Sequence, residues 1–308
     1  MSDKPNPTSA PTPTRTTLHL LERMSRDARP FACMTCYDAT TARHLALGGV
    51  HLLLVGDTAA EVILGLPRTI DMPLDLLVAL TAAVKRGAPE TVVMADMPFM
   101  SYQADDAEAI RNAGRFLTEG LADIVKVEAD ASFSTLVERM TRAGIPICGH
   151  IGSRPQQAAL TGGYSSAGRT AEHAERIIND AIMLERAGCR MLLVEAVPAE
   201  VTDAILAVTQ VPVIGIGAGS ACHGQVIVLQ DIAGLSTHPP RFAEPLADFG
   251  RSFQDLASAW ADRVARRAVG GKPYQMKPGE SDRFHGGTNI DSHAGRDGFG
   301  IGKRPMIG

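Results

Sequence analysis

The chain has 308 residues, 45% of them apolar and 21% charged, a globular balance with room for two domains or for one α/β barrel of about 250 residues. Its formal net charge of −4 gives no electrostatic reason to expect nucleic acid or an anionic membrane, which leaves small molecules as the expected partners. The stretch 1–17 is rich in Pro, Ser and Thr without an apolar signal core, and no apolar run approaches the ~20 residues of a membrane span, so a soluble cytoplasmic protein is expected.

In chain order, strand-like apolar runs occupy 31–37, 51–55, 91–96, 124–128, 145–150, 190–195, 211–216 and 225–229. Stretches with apolar residues recurring at three and four lie between most of them, at 74–86, 106–120, 133–143, 171–187 and 199–208, each with Gly or Pro near its end. Near-continuous apolar strands alternating with helices imply parallel strands covered on their outer face. Eight such units match a closed TIM (β/α)8 barrel better than an open sheet. The expected organisation is an N-terminal extension over 1–17, a barrel over 18–269 and a Gly- and Pro-rich tail over 270–308. Both ends are expected to be mobile or loosely docked, and the tail is too poor in apolar groups to form a further domain. The five cysteines, Cys33, Cys36, Cys148, Cys189 and Cys222, are odd in number and scattered, as small core residues are. Cys33 and Cys36 imitate a redox or zinc spacing, but residues three apart on a strand point to opposite faces and no second pair completes a zinc site.

Charged residues sit where the apolar runs end. Asp57 follows the second run, Asp96 closes the third, Lys126 and Glu128 lie two apart in the fourth, His150 closes the fifth and Glu195 the sixth. In a parallel barrel these are C-terminal strand ends, the face that carries chemistry. Lys126 and Glu128 share one side of their strand, whereas Val125 and Val127 share the other. A buried ion pair explains those two alone. Asp57 and Asp96 end the two preceding strands, so closure brings three acids beside one lysine, and a divalent cation would offset their repulsion. Mg2+ is the expected ion, because Asp57, Asp96 and Glu128 offer only oxygen. Taken singly, Asp57 also suits a helix cap and Asp96 a turn. His150 reads as a polar pocket contact or a hydrogen-bonded core histidine. Glu195, partly desolvated at the mouth, suits a general base, with a salt bridge to Arg154 or Arg169 as the alternative. Gly215, Gly217 and Gly219 follow the seventh run, where some barrels bind phosphate, but close packing explains them as well.

These motifs, taken together, resemble the ketopantoate (3-methyl-2-oxobutanoate) hydroxymethyltransferases. The resemblance covers about 18–235 and rests on Leu-Val-Gly-Asp57-Thr58, Val-Lys85-Arg86-Gly-Ala, Ala-Asp96-Met-Pro-Phe, Val-Lys126-Val-Glu128, Pro-Ile-Cys-Gly-His150-Ile-Gly, Gly162-Gly-Tyr, Glu195-Ala-Val-Pro, Val-Ile-Gly-Ile-Gly-Ala-Gly and Gly224-Gln-Val. It implies a magnesium-dependent barrel, commonly a decamer, that transfers a one-carbon unit from 5,10-methylenetetrahydrofolate to 2-oxoisovalerate. By the same resemblance Asp57, Asp96 and Glu128 match the metal-site acids, Asp57, Thr58, Asp96 and Lys126 the oxoacid contacts, and Glu195 the proton acceptor. The chain departs from the pattern at Thr58, where serine is usual, and in the loop that follows. It departs again at Ser165-Ser166, where Lys-Val is common, and at His223, where aspartate is usual. Those positions lie in loops expected to shape the pocket or the folate approach. The alternatives are a magnesium-dependent lyase or mutase of the phosphoenolpyruvate mutase type, for which no cysteine-containing catalytic loop is evident, and a non-catalytic barrel.

Overall fold

The computed structural model describes residues 15–287. Eight parallel strands close into a barrel in sequence order: β1 (Phe31–Thr35), β2 (Leu52–Val55), β3 (Val92–Asp96), β4 (Ile124–Glu128), β5 (Ile147–Gly152), β6 (Met191–Glu195), β7 (Val213–Ile216) and β8 (Gly224–Ile227), with β8 pairing back onto β1. Each expected strand is present, β4 at the expected bounds and the others with ends moved by at most two residues. Strand β1 stops at Thr35 because Asp38 caps the next helix, its carboxylate accepting the amides of Thr40 and Thr41. Strand β5 runs two residues past His150 because Ile151 and Gly152 go on pairing with Val194 and Glu195 of β6.

The expected helices are found at Leu74–Gly87, Asp106–Thr118, Ser134–Arg142, Ala171–Arg186 and Ala199–Val208. Their apolar faces pack on the outward side chains of the strands. One core layer forms there, including Leu53, Val93, Val125, Ile151, Leu192 and Val213 from the sheet and Leu77, Phe116, Met140 and Leu184 from the helices. The alternate strand positions point inward and make a second cluster. Cys33, Leu52, Leu54, Val92, Met94, Ile124, Cys148, Met191, Leu193, Ile214 and Val226 fill the lumen, as a barrel of this size requires.

An additional helix, Leu18–Arg26, has no counterpart among the expected elements. Thr17 caps it by accepting the Leu20 amide, and its buried Leu21 and Met24 join the lumen cluster, plugging the barrel from below. All five cysteines are free and buried, as expected of core residues.

The chain divides into two compact units, Met1–Ser252 and Phe253–Gly308. The first contains the barrel. The second contains helix Glu280–Gly287 and most of helix Phe249–Ala265, elements that composition did not indicate. Residues 1–14 and 288–308, which include most of the extension and much of the tail read from the sequence, lie outside the described residues. Among the described residues no helix is long and apolar enough to cross a membrane.

Candidate active site at the barrel mouth

Strand register places the charged residues. Asp96 pairs with Lys126, Glu128 with His150, and Gly152 with Glu195, so neighbouring strands deliver charged side chains to the same end of the lumen. Asp57, Thr58, Asp96, Lys126, Glu128, His150 and Glu195 all line one cavity of about 50 Å³, together with Thr35 and the apolar Leu54, Leu193, Ile216 and Val226.

Asp96 and Lys126 form the centre. The Lys126 ammonium lies 3.0 Å from Asp96 Oδ1, and both side chains are almost fully buried. Burial works against the ammonium, but Asp96, Asp57 and Glu128 outweigh it and raise the Lys126 pKa, so the lysine stays charged. The other Asp96 oxygen, Oδ2, accepts the Asp57 amide at 3.1 Å. Gly56 eases that approach, since a Cβ there would stand 3.3 Å from Asp96 Oδ2. Asp57 does not cap the short helix Ala59–Val62, which starts at Thr58 without a side-chain cap. Its carboxylate turns to Gln156 instead, with Oδ2 accepting the side-chain amide at 2.9 Å. Burial first, and the Asp96 charge second, push the Asp57 carboxyl up to about 7.

Glu128 is placed differently from an equal third ligand. Its Oε2 accepts the Gln156 backbone amide at 3.0 Å, and Oε1 lies 3.7 Å from His150 Nδ1. Burial and the Asp57 charge raise its pKa well above the carboxylate range. Among the described residues, no three Asp, Glu, His or Cys side chains make a ready-made chelate. The reason lies in the strand: Glu128 stands two residues beyond Lys126, a step of about 6.6 Å along β4. The pair Asp57 and Asp96 does fit a hard cation. Asp96 Oδ1 is buried without a partner in hydrogen-bonding geometry, and Asp57 is held beside a second acid. Mg2+ commonly takes one or two carboxylates and completes its octahedron with substrate and water.

His150 joins the two halves of the site. Its Nδ1 lies 3.3 Å from the Lys126 ammonium, and its Nε2 is 3.3 Å from Glu195 Oε2 without the alignment of a hydrogen bond. Burial, then the Lys126 charge, lower its pKa, which keeps the imidazole neutral. An ammonium can only donate, so Nδ1 accepts, and the network assigns the ring proton to Nε2, facing Glu195. Glu195 itself is more open, its side chain 22% exposed against 2% for His150. Arg154, one alternative partner for Glu195, pairs with Asp130 at 2.7 Å.

Sequence reasoning missed Thr35, Tyr102 and Gln156. Thr35 sits on an inward position of β1, which strand alternation alone could have flagged. Gln156 gave no signal, being a polar residue in the turn Pro155–Gln157. A second cavity, of about 280 Å³, lies outside the turn, lined by Pro67, Arg68, Thr69, Ile70, Pro155, Gln156, Ala158, Ala159, Gly163 and Tyr164. It shares Pro155 with the inner one.

The family model described as ketopantoate hydroxymethyltransferase matches residues 15–271. A 3-methyl-2-oxobutanoate hydroxymethyltransferase of Halorhodospira halophila is 43% identical over 248 residues, 80% of this chain and 90% of that protein. One from Anaeromyxobacter sp. strain K is 39% identical over 274 residues, 87% of each. Among solved structures, phosphonopyruvate hydrolase in complex with oxalate and Mg++ superposes with a TM-score of 0.56 at 12% identity, covering 88% of this chain and 97% of that one. A 2,3-dimethylmalate lyase of the PEP mutase/isocitrate lyase superfamily gives 0.53 at 17% identity, covering 89% and 96%. At those identities the likeness is one of fold.

Proposed function

The chain belongs to the ketopantoate hydroxymethyltransferase family, and we propose that its barrel mouth uses Glu195, Lys126 and the Asp57–Asp96 pair to carry out that reaction. The enzyme is a 3-methyl-2-oxobutanoate hydroxymethyltransferase, making ketopantoate for pantothenate biosynthesis. The observation that carries the assignment of roles is the juxtaposition, in one small buried cavity, of a charged lysine, the aspartate ion-paired with it and a more open glutamate.

Asp57 and Asp96 would hold a magnesium ion, which supplies Lewis acidity to the keto group of a bound 2-oxoacid. The Lys126 ammonium offsets the negative charge that the oxoacid brings and that grows on its keto oxygen as C3 loses a proton. Glu195 takes that proton; its exposure at the rim leaves it reachable from C3. His150 presents Nε2–H to the same carboxylate and fixes its side of the cavity. Thr58, next to Asp57 on the cavity wall, contacts the oxoacid. Leu54, Leu193, Ile216 and Val226 surround the branched alkyl group and keep water from the carbanion.

The inner cavity, of about 50 Å³, has no room for a folate beside the oxoacid. The neighbouring cavity of about 280 Å³ is the approach for 5,10-methylenetetrahydrofolate: C3 bonds to its methylene carbon, both methylene C–N bonds break, water supplies the hydroxyl, and tetrahydrofolate leaves carrying the two protons released from C3 and water. Assembly into a homo-oligomer is part of the same reading: Leu256, Trp260 and Val264 recur on one face of helix Phe249–Ala265 and are exposed. Light scattering reads the mass.

Purified protein mixed with 2-oxoisovalerate, Mg2+ and methylenetetrahydrofolate should form ketopantoate, detected by proton NMR. Omitting the folate should leave Mg2+-dependent exchange of the C3 hydrogen for deuterium. Neither product nor exchange, with the oxoacid bound, would reject the reading.

A further inference from the structure

Gln156 is buried, and its side chain meets residues that follow β2 and β3 while its backbone amide meets the last residue of β4. Its Nε2 donates to Asp57 Oδ2 and to the Met97 carbonyl, both at 2.9 Å. Its Oε1 accepts from the Tyr102 hydroxyl at 2.9 Å and from Gln103 Nε2 at 3.1 Å. Its backbone amide donates to Glu128 Oε2 at 3.0 Å. Two donors and two acceptor sites are all that a primary amide offers, and here all four are used. The orientation is also unique. A flipped amide would set its oxygen against the Asp57 carboxylate and the Met97 carbonyl, two acceptors, and its NH2 against the donors it now receives.

This network decides which oxygens are left for a ligand. Asp57 gives Oδ2 to the Gln156 side chain, Glu128 gives Oε2 to the Gln156 backbone, and Asp96 gives Oδ2 to the Asp57 backbone. Each carboxylate is thus pinned through one oxygen by a neutral donor; of the second oxygens, Asp96 Oδ1 faces the Lys126 ammonium at 3.0 Å and Glu128 Oε1 faces His150 at 3.7 Å. A lysine or arginine in place of Gln156 would also pin Asp57, but its charge would repel a divalent ion. An amide fixes the plane of the carboxylate and adds no charge. Fixing it before the ion arrives removes the side-chain ordering that binding otherwise requires.

We propose that Gln156 is a positioning residue for the divalent-cation site, orienting Asp57 through its side chain and Glu128 through its backbone, with Tyr102 and Gln103 holding the amide the right way round. The inference rests on the magnesium reading given above. Groups that orient metal ligands typically influence metal affinity by ~10- to 100-fold. Calorimetric titration of Mg2+ into wild type, Gln156→Leu and Tyr102→Phe, in the presence of 2-oxoisovalerate, tests it, with thermal melts on each protein. Gln156→Leu should weaken Mg2+ binding by about 10- to 100-fold and raise KM for the oxoacid more than it lowers kcat. Tyr102→Phe keeps the ring packing and removes a hydroxyl shared between the Gln156 amide oxygen and the Glu128 carbonyl, so it should weaken Mg2+ in the same sense by a few-fold, and it remains informative even where the leucine variant does not fold. Wild-type Mg2+ affinity in the folded variants, with only the melting temperature lowered, would overturn the inference and leave the magnesium reading standing. Absence of Mg2+ binding in wild type would overturn both.

Discussion

Strand β4 supplies Ile124 to the lower lumen and, two and four residues on, Lys126 and Glu128 to the mouth. The lower lumen is apolar: Leu21 and Met24 from the N-terminal helix meet Phe31, Val92, Met94 and Ile124 with no ionisable partner to satisfy. Removing each such side chain from water contributes about 1.5–3 kcal/mol, so this end is a source of stability. At the mouth the same strands bury Asp57, Asp96, Lys126, Glu128 and His150. There burial raises the Asp57 and Glu128 carboxyl pKa values, and the single ammonium serves several acids. The contrast teaches that the barrel's lower half supports an upper half whose charges are held together for a ligand.

Breaking the mouth should therefore affect chemistry first. The largest effect is expected for Glu195→Gln, an amide of the same shape that cannot accept a proton. The rate of C3 hydrogen exchange in heavy water should fall by ~10²- to 10⁴-fold, read by proton NMR, with oxoacid binding retained. Exchange at the wild-type rate would remove Glu195 from the role of base.

Lys126→Met tests whether the ammonium is what makes the buried acids tolerable. Removing one partner of a buried pair leaves uncompensated charge, so the metal-free variant should lose about 3–5 kcal/mol in urea unfolding at neutral pH. A loss below about 1 kcal/mol, within the range of exposed ion pairs, would show that Asp57 or Glu128 is already neutral there.

The opposite substitution sharpens the comparison from the other end. Leu21→Ala in the plug helix should destabilise the fold by about 2–5 kcal/mol through the cavity it leaves, while kcat of the folded protein stays near wild type. A kcat loss as large as the stability loss would mean that the two ends are coupled.

The smallest effect is expected outside the chamber. Ala159→Trp narrows the cavity of about 280 Å³ and should raise KM for methylenetetrahydrofolate about tenfold, a change worth about 1.4 kcal/mol of binding. Folate-independent C3 exchange should be unchanged. Equal effects on both would place the donor elsewhere.

Much of this mouth was legible before any coordinates. The strand period of two puts Lys126 and Glu128 on one side of β4, and the alternation of apolar strands with helices makes that side the lumen. Other features were not legible, for definite reasons. The helix Leu18–Arg26 is only nine residues long, and its role as a plug depends on a barrel end that exists once β1 and β8 have paired. Gln156 lies in a turn, where no period applies, and its partners are distant in sequence: Asp57 is 99 residues away, Met97 59 and Glu128 28.

Local sequence thus determined the eight strands and the five helices read from their periodicity, the lumen-facing side of each strand and the presence of acids and a lysine at the strand ends, because those depend on backbone geometry repeated every two or four residues. Tertiary structure alone decided the partners. The register of β5 on β6 brings His150 near Glu195, while Arg154, a partner that sequence proximity to the mouth equally allowed, is drawn to Asp130. The same closure turned Glu128 toward Gln156 and Asp96 toward the Asp57 amide, since a carboxylate commits its oxygens to whichever donors the fold brings within about 3 Å.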